Sequence, residues 1–153
     1  MLSIYSICYG VQRIEEVIKR FSHPVIDCLQ TKVIVDMALP HSSLEVQLYD
    51  AKGNYVVQDS VLGEGYTFPG LLLTLHPREK EMCIESIYVK PEYQGQGIGT
   101  AFVRDVMKGA RKEGYERVRV VADVGTNAAS YWRRVHGFES VDELMPLVLE
   151  RRL

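Results

Sequence analysis

The chain has 153 residues, with 18 basic and 20 acidic side chains and a formal net charge of −2 at pH 7. This length suits one domain with a sizeable core, and we expect residues 1–153 to form a single domain. Basic and acidic residues are mixed along the chain, so no sustained positive patch predicts nucleic acid or an acidic membrane surface as a partner.

The cysteines and histidines indicate the compartment and argue against a metal. Cys8, Cys28 and Cys83 are odd in number and have neither metal-type nor redox-type spacing, which predicts reduced thiols in a cytoplasmic protein. The four histidines lack ligand spacing, so we expect no metal site. Residues 1–8 contain no basic region and no long apolar run, so we expect neither a signal peptide nor a membrane span there.

The apolar pattern of the first half of the chain predicts strands and helices. A short strand is expected over residues 1–8, a helix with one apolar face over residues 11–21, and a second short helix that begins at Pro24. Further strands are then predicted over residues 32–38, 44–49 and 55–61, with a hairpin turn over residues 50–54.

The second half begins with a predicted loop over residues 62–70, which is rich in glycine. A short strand over residues 71–75 and a strand that ends at Val89 follow, and a helix with an apolar stripe then ends near Gly114. The remaining elements are a strand over 117–122, a helix that Thr126 or Asn127 can cap and Gly137 closes, and a strand over 144–149. This order predicts an α/β (α+β) fold built on a mixed sheet.

Residues 94–100, Gln-Gly-Gln-Gly-Ile-Gly-Thr, separate the strand that ends at Val89 from the next helix. Glycines at alternate positions allow torsions closed to other residues and let a ligand approach the backbone. At the start of a helix, unsatisfied amide groups and the positive end of the helix dipole favour an anion. We therefore predict a phosphate-sized site here, and a pyrophosphate is its natural ligand.

Two familiar glycine-rich loops do not fit this spacing. A P-loop needs Lys and then Ser or Thr after its final glycine, whereas a threonine and an alanine follow Gly99. The dinucleotide fingerprint places its third glycine three residues after the second. Counted from Gly95 or Gly97, that position holds Thr100 or Phe102. A Rossmann-type site is therefore not predicted.

The loop instead resembles the first signature of the acetyl-CoA-dependent N-acetyltransferase superfamily, known as GNAT. The pattern Gln/Arg-x-x-Gly-x-Gly/Ala is met by Gln94, Gly97 and Gly99. Residues 127–138, an Asn-led helix that ends in Gly-Phe, are similar to a second signature of the family. The resemblance implies a mixed, mostly antiparallel central sheet flanked by helices, and transfer of an acetyl group from acetyl-CoA to a primary amine by direct attack in a ternary complex.

The resemblance also implies which residues hold acetyl-CoA. The strand before the loop would contact the thioester carbonyl and the pantetheine arm through the backbone of Ile87, Tyr88 and Val89. The pyrophosphate would be held by Gln94, Gly95, Gln96, Gly97, Ile98, Gly99 and Thr100. Asn127 is similar to the family asparagine that touches the pantetheine arm, and helix capping is its alternative role.

The resemblance further implies two catalytic residues. A lysine-like amine is mostly protonated at pH 7, and freeing its lone pair costs roughly 4.6 kcal/mol. Glu85 is the implied base, acting directly or through a water, and the alternative is an outward-facing strand carboxylate. Tyr131 is the implied proton donor to the leaving thiolate, although the family's usual position holds Arg133. Its alternative role is packing beside Trp132.

Several hypotheses stay open at this point. Beside an amine acetyltransferase, the chain could be a catalytically weak CoA-binding sensor or interaction module, or a nucleotide-binding domain of another kind. Cys83 lies two residues before Glu85 on the same strand, which leaves an acyl-cysteine route as a minor alternative. The sequence does not identify the acceptor amine, small-molecule or peptide, and it leaves a homodimer open.

Overall fold

The computed structural model describes residues 13–20, 30–36, 42–49, 55–57, 60–62, 66–68, 71–87, 89, 94–122 and 127–153. The helices are α1 (residues 13–19), α2 (Ile98–Lys112) and α3 (Ala128–His136). The strands are β1 (Gln30–Asp36), β2 (Ser42–Tyr49), β3 (Tyr55–Val57), β4 (Ser60–Leu62), β5 (Tyr66–Phe68), β6 (Leu71–His76), β7 (Glu81–Ile87), β8 (Arg117–Val121), β9 (Glu139–Asp142) and β10 (Met145–Arg152). The strand predicted over residues 1–8 and the helix predicted at Pro24 lie outside the described residues.

One large sheet forms the centre of the described structure. Its strand order is β1-β2-β6-β7-β8-β10-β9, with β3 paired to β2, while β4 and β5 form a separate two-stranded sheet. β7 and β8 run parallel, and the other described pairs are antiparallel. The predicted mixed, mostly antiparallel sheet is therefore confirmed.

The core lies between the centre of this sheet and the helices. Met82 and Ile84 alternate with more exposed residues along β7, and both are buried, as a strand with one face toward a core requires. The apolar stripe of α2 is buried as well and includes Phe102, Val103, Val106 and Ala110. The central sheet and α2 thus share one hydrophobic core.

α1 packs closely on α2 because a glycine lies at their contact. A Cβ atom built on Gly109 would come within 3.1 Å of Cγ2 of Val17. Ile14 and Ile18 of α1 are fully buried and belong to the same core. The helix predicted over residues 11–21 is present over the part of it that the structure describes.

α3 is a short helix that ends at Gly137, whose φ of 69° is in the left-handed region that favours glycine. The Gly137 and Phe138 amides donate to the carbonyls of Arg133 and Trp132. Trp132 and Phe138 are buried, and their ring centroids are 5.2 Å apart. The helix is thus anchored to the core through aromatic side chains.

The segments outside the central elements differ most from expectation. The strand predicted over residues 55–61 is two strands, since β3 pairs with β2 and β4 pairs with β5. β5 lies within the predicted loop 62–70. The last strand extends over Met145–Arg152 instead of residues 144–149, and β9 before it was not predicted because all of its residues are exposed and it has no apolar alternation.

Among the helices that the structure describes, none combines the length and the apolar character that a membrane-spanning segment needs.

Candidate active site

A β-bulge in β7 places Glu85 outside the regular ladder. Leu73 of β6 is opposite Ile84, and the next residue, Leu72, is opposite Ser86, so Glu85 has no Cα partner on β6. Bulges of this kind bend a strand and redirect a side chain, and they are frequent beside active sites. Glu85 is exposed, which leaves its carboxylate accessible to a substrate or a water.

The same part of β7 lies beyond its pairing with β8. The parallel ladder runs from Glu81 opposite Arg117 to Ile84 opposite Val120. Residues 85–87 continue past this ladder while residues 86 and 87 still pair with β6. Among the described residues this segment is therefore paired on one side only, and an extended ligand with amide groups can align along such an edge.

The described part of the glycine loop, residues 94–97, leads directly into α2. Gly95 and Gly97 have φ angles of 78° and 77°, which a residue with a side chain adopts only with strain. Gln94 Nε2 donates a hydrogen bond of 2.8 Å to the carbonyl oxygen of Val89 and so ties the loop to the strand it leaves. Tyr88 lies outside the described residues.

The first turn of α2 offers its amide groups to an anion. The Ala101 amide donates to the Gly97 carbonyl as the first helical hydrogen bond, so the amides of residues 98–100 precede that ladder. Gly97 is the N-cap residue, no side chain caps this end, and the first turn holds no acidic residue. Backbone donors and the helix dipole therefore act together here.

Gly99 brings this first turn close to the end of the strand. A Cβ atom built on Gly99 would lie 3.4 Å from Cγ2 of Val89 and 3.8 Å from Cδ1 of Ile87. Ile87 and Val89, predicted to bind the pantetheine arm, are thus adjacent to Gly99, predicted to bind the pyrophosphate. One extended ligand could contact both groups.

Tyr131 connects α3 to the same turn of α2. Its hydroxyl lies 2.7 Å from the hydroxyl oxygen of Thr100 and 2.9 Å from Nε2 of His136. The tyrosine is half-buried, and its ring makes edge contacts with the rings of Trp132 and His136. Sequence reasoning placed Tyr131 and Thr100 in separate roles, whereas the structure brings their hydroxyl groups together.

His136 is the member of this group that the sequence did not identify. It is 2% exposed, and burial together with the positive charges of Arg104 and Arg151 lowers its pKa to about 4. The ring is therefore neutral at pH 7. The signal in the sequence was a histidine five residues after a tyrosine on one short helix, a spacing that by itself predicts no contact.

Arg133 and Asn127, on and beside α3, lie outside the group formed by Thr100, Tyr131 and His136. Arg133, at the family's usual tyrosine position, donates to Ser140 Oγ and to the carbonyl oxygen of Pro146, and so holds the β9–β10 hairpin. Asn127 is exposed at the N-cap of α3, and its side chain makes no capping hydrogen bond. The N-cap position predicted for Asn127 is therefore confirmed, whereas a capping hydrogen bond from its side chain is not.

Cys83 has the surroundings of an unreactive thiol. Its sulfur donates to a carboxylate oxygen of Glu81, 3.3 Å away, and Arg117 pairs with the same carboxylate. Burial, the hydrogen bond to Glu81 and nearby negative charge raise the pKa of the thiol to about 12. A thiolate nucleophile is thus disfavoured at this position.

In the part of the chain that the structure describes, no group of three or more His, Cys, Asp or Glu side chains could hold a metal ion.

Known proteins are similar to this chain in sequence and in fold. The sequence model of the Acetyltransferase (GNAT) family matches residues 40–138. A segment of 41 residues is 42% identical to thialysine N-epsilon-acetyltransferase of Bos taurus, and it spans 27% of this chain and 24% of the bovine protein. The chain thus matches about a quarter of the length of that relative.

Two solved structures have the same fold. A GNAT family acetyltransferase from Elizabethkingia anophelis with acetyl-CoA bound superposes with a TM-score of 0.52 at 14% identity, over 83% of this chain and 99% of that one. An acetyltransferase from Bacillus cereus ATCC 14579 superposes with a TM-score of 0.50 at 12% identity, over 100% of this chain and 94% of that one. Since the family model covers more than half of the sequence, the chain belongs to the GNAT acetyltransferase family.

Proposed function

We propose that this chain transfers the acetyl group of acetyl-CoA to a primary amine by direct attack in a ternary complex. The observation that carries the proposal is the contact between the uncapped first turn of α2 and the end of β7, two residues after the exposed Glu85. An anion bound by this turn would lie beside a strand edge and a carboxylate. A single-domain organisation and a cytoplasmic location stay predictions.

The acyl donor would supply an activated thioester when bound. The backbone amides of residues 98–100 would hold the diphosphate, together with the loop residues Gln94 to Gly97. The backbone of Ile87 to Val89 would align the pantetheine arm and, through its amide groups, polarise the thioester carbonyl. Asn127, exposed at the start of α3, would contact the same arm.

Glu85 would take the proton of the amine, directly or through a water, because it is exposed beside the strand edge where the thioester would lie. The bovine relative of one segment is named for the Nε group of thialysine, which supports an amine as the acceptor class.

Tyr131 is the candidate proton donor to the leaving thiolate in this chain, and in that role its hydroxyl proton would go to the sulfur instead of Thr100 or His136. A thiol has a pKa of about 8.5, so departure without a donor is also feasible near neutral pH. Cys83 would take no part in the reaction. A Cys83→Ala variant should therefore keep its turnover, and no acetyl-enzyme adduct should form.

A CoA-binding sensor or interaction module is the alternative. Arg133, at the family's usual tyrosine position, is engaged by the β9–β10 hairpin, and this observation favours a weak or absent acid catalyst. Thiol release from acetyl-CoA, measured with a panel of primary amines, separates the two functions. An enzyme releases CoA in an amine-dependent manner, whereas a sensor binds CoA and releases nothing above hydrolysis.

Thermal unfolding with added CoA or NAD tests whether CoA is the ligand at all. A ligand that binds only the folded chain stabilises it by RT ln(1 + [L]/Kd), and so raises its melting temperature. CoA should raise it, and NAD should not. A shift with NAD alone would contradict the proposal and favour a nucleotide-binding domain of another kind.

A further inference from the structure

The side chains of Thr100, Tyr131 and His136 form a hydrogen-bonded chain from the core to the first turn of α2. The two links measure 2.9 Å from His136 Nε2 to the Tyr131 hydroxyl oxygen and 2.7 Å from there to the Thr100 hydroxyl oxygen. The inner end is buried and neutral, and the outer end lies among the amides of residues 98–100.

The direction follows from the tautomer of His136. A neutral imidazole carries one N–H, on either Nδ1 or Nε2. Nδ1 is buried and has no hydrogen-bond partner among the described residues. A buried N–H without an acceptor is rarer and costlier than an unpaired acceptor lone pair. The proton therefore belongs on Nε2, where it is donated to Tyr131.

With Nε2 as donor, the directions of the other hydrogen bonds follow, because each hydroxyl group has a single proton to donate. The Tyr131 oxygen accepts from His136, so its own proton is donated to the other neighbour, the Thr100 oxygen. Thr100 then accepts from Tyr131, and its hydroxyl proton is left for a third partner. That proton is available at the turn where the helix dipole and the first amides favour an anion.

We propose that His136 and Tyr131 are positioning residues that orient the Thr100 hydroxyl as a hydrogen-bond donor to the diphosphate of the acyl donor. This inference rests on the proposed function, since it requires CoA to bind at the first turn of α2. It assigns His136 a role in donor affinity and needs no proton transfer from Tyr131.

Four substitutions test the hydrogen bonds among Thr100, Tyr131 and His136 one at a time. Thr100→Val removes the outer hydroxyl, Tyr131→Phe removes the central one and keeps the ring, and His136→Leu removes the inner donor. His136→Gln keeps an amide N–H in place of the Nε2 donor. The first three should raise the Kd for CoA and the KM for acetyl-CoA by roughly 3–10-fold, with a smaller change in kcat, whereas His136→Gln should stay near wild type.

A truncated donor and a double variant make the test specific. S-Acetylpantetheine lacks the diphosphate, so its KM should be the same in wild type and in all four variants. Thr100→Val combined with Tyr131→Phe should bind CoA no more weakly than Thr100→Val alone, because both changes remove the same donor. This pair keeps the test available if His136→Leu fails to fold, which the melting temperature reveals.

The outcomes distinguish a failure of the positioning role from a failure of the proposed function. The positioning role would be overturned if the losses of CoA affinity in Thr100→Val and Tyr131→Phe were additive in the double variant. It would also be overturned if the variants raised the KM for S-acetylpantetheine as much as the KM for acetyl-CoA. Neither result would contradict CoA binding by the wild type. A loss of kcat without a change in the KM for acetyl-CoA would also overturn the positioning role and would favour Tyr131 as an acid. A wild type that binds no CoA would contradict the proposed function itself.

Discussion

Gln94 Nε2 donates a hydrogen bond of 2.8 Å to the carbonyl oxygen of Val89, five residues earlier in the chain. This bond joins the glycine loop to a residue just beyond the end of β7, and its donor is a neutral side chain. The glutamine therefore organises the loop from the outside and brings no charge to it.

Gln94→Ala should weaken CoA binding by roughly fivefold, because a hydrogen bond of this kind contributes about 1 kcal/mol to the organised loop. Isothermal titration calorimetry with CoA measures the effect. Lys108→Ala, an exposed change in the middle of α2, is the matched control. Equal Kd values for wild type and Gln94→Ala would contradict a role of this bond in the site.

Gly97→Ala should lower both stability and CoA affinity. The residue has φ of 77°, and a Cβ atom there meets nothing within 4 Å, so backbone strain of about 1–2 kcal/mol is the expected cost. Gly114 has φ of 89° and equally open surroundings after the other end of α2, which makes Gly114→Ala a control of matched strain.

Both glycine variants should unfold at lower urea concentration, and only Gly97→Ala should bind CoA more weakly. Denaturant titrations and calorimetry measure the two effects. A loss of CoA binding in Gly114→Ala of the same size would mean that the effect comes from helix stability and not from the loop.

Glu85→Gln should reduce kcat/KM by about 100-fold or more if this carboxylate is the base, since that is the usual contribution of a positioned base. The variant keeps the size of the side chain and replaces one carboxylate oxygen by an NH2 group, which cannot act as a base. A general base must be deprotonated to act, so the pH–rate profile should change in this variant. Glu79→Gln, an exposed change in the β6–β7 turn, should leave the profile as it is. Unchanged turnover and an unchanged profile in Glu85→Gln would exclude it as the base.

His136 should make the protein less stable in acid. The histidine takes up a proton near pH 6.5 in the unfolded chain and at about pH 4 in the folded one, so the unfolded state binds more protons between these values. The free energy of unfolding should therefore fall as pH decreases from 7 to 4, by up to about 3 kcal/mol from this residue.

Urea titrations of wild type and His136→Gln at pH 7 and 4.5 test this, because the carboxylates that titrate in both proteins cancel in the difference. The stability advantage of wild type over the variant should be larger at pH 7 than at pH 4.5. The same difference at both pH values would show that His136 does not titrate as described.

The sequence predicted the parts of the fold that local pattern determines. The glycine loop, the apolar stripe from Phe102 to Ala110 and the helix end at Gly137 each depend on neighbours within a few residues. β9 escaped prediction because its exposed residues lack an apolar alternation, and the division of residues 55–61 depends on which strand each half pairs with.

The site was predictable to a similar extent. The loop residues and Glu85 follow from motif and resemblance, but the bulge at Glu85 follows from the pairing of β7 with β6, which the composition of either strand does not specify. The contact between Tyr131 and Thr100 joins residues 31 positions apart and depends on how α3 packs against α2. Packing of this kind has no signature in the spacing of either residue.

The bulge also gives β7 an unusual tolerance to a change in length. Removing one residue from a regular strand turns every later side chain to the opposite face. Removing Glu85 alone would leave Ile84 opposite Leu73 and Ser86 opposite Leu72, in uninterrupted succession. The Glu85 carboxylate is thus carried by a residue without a partner on β6, so its removal would leave the register of the later residues unchanged.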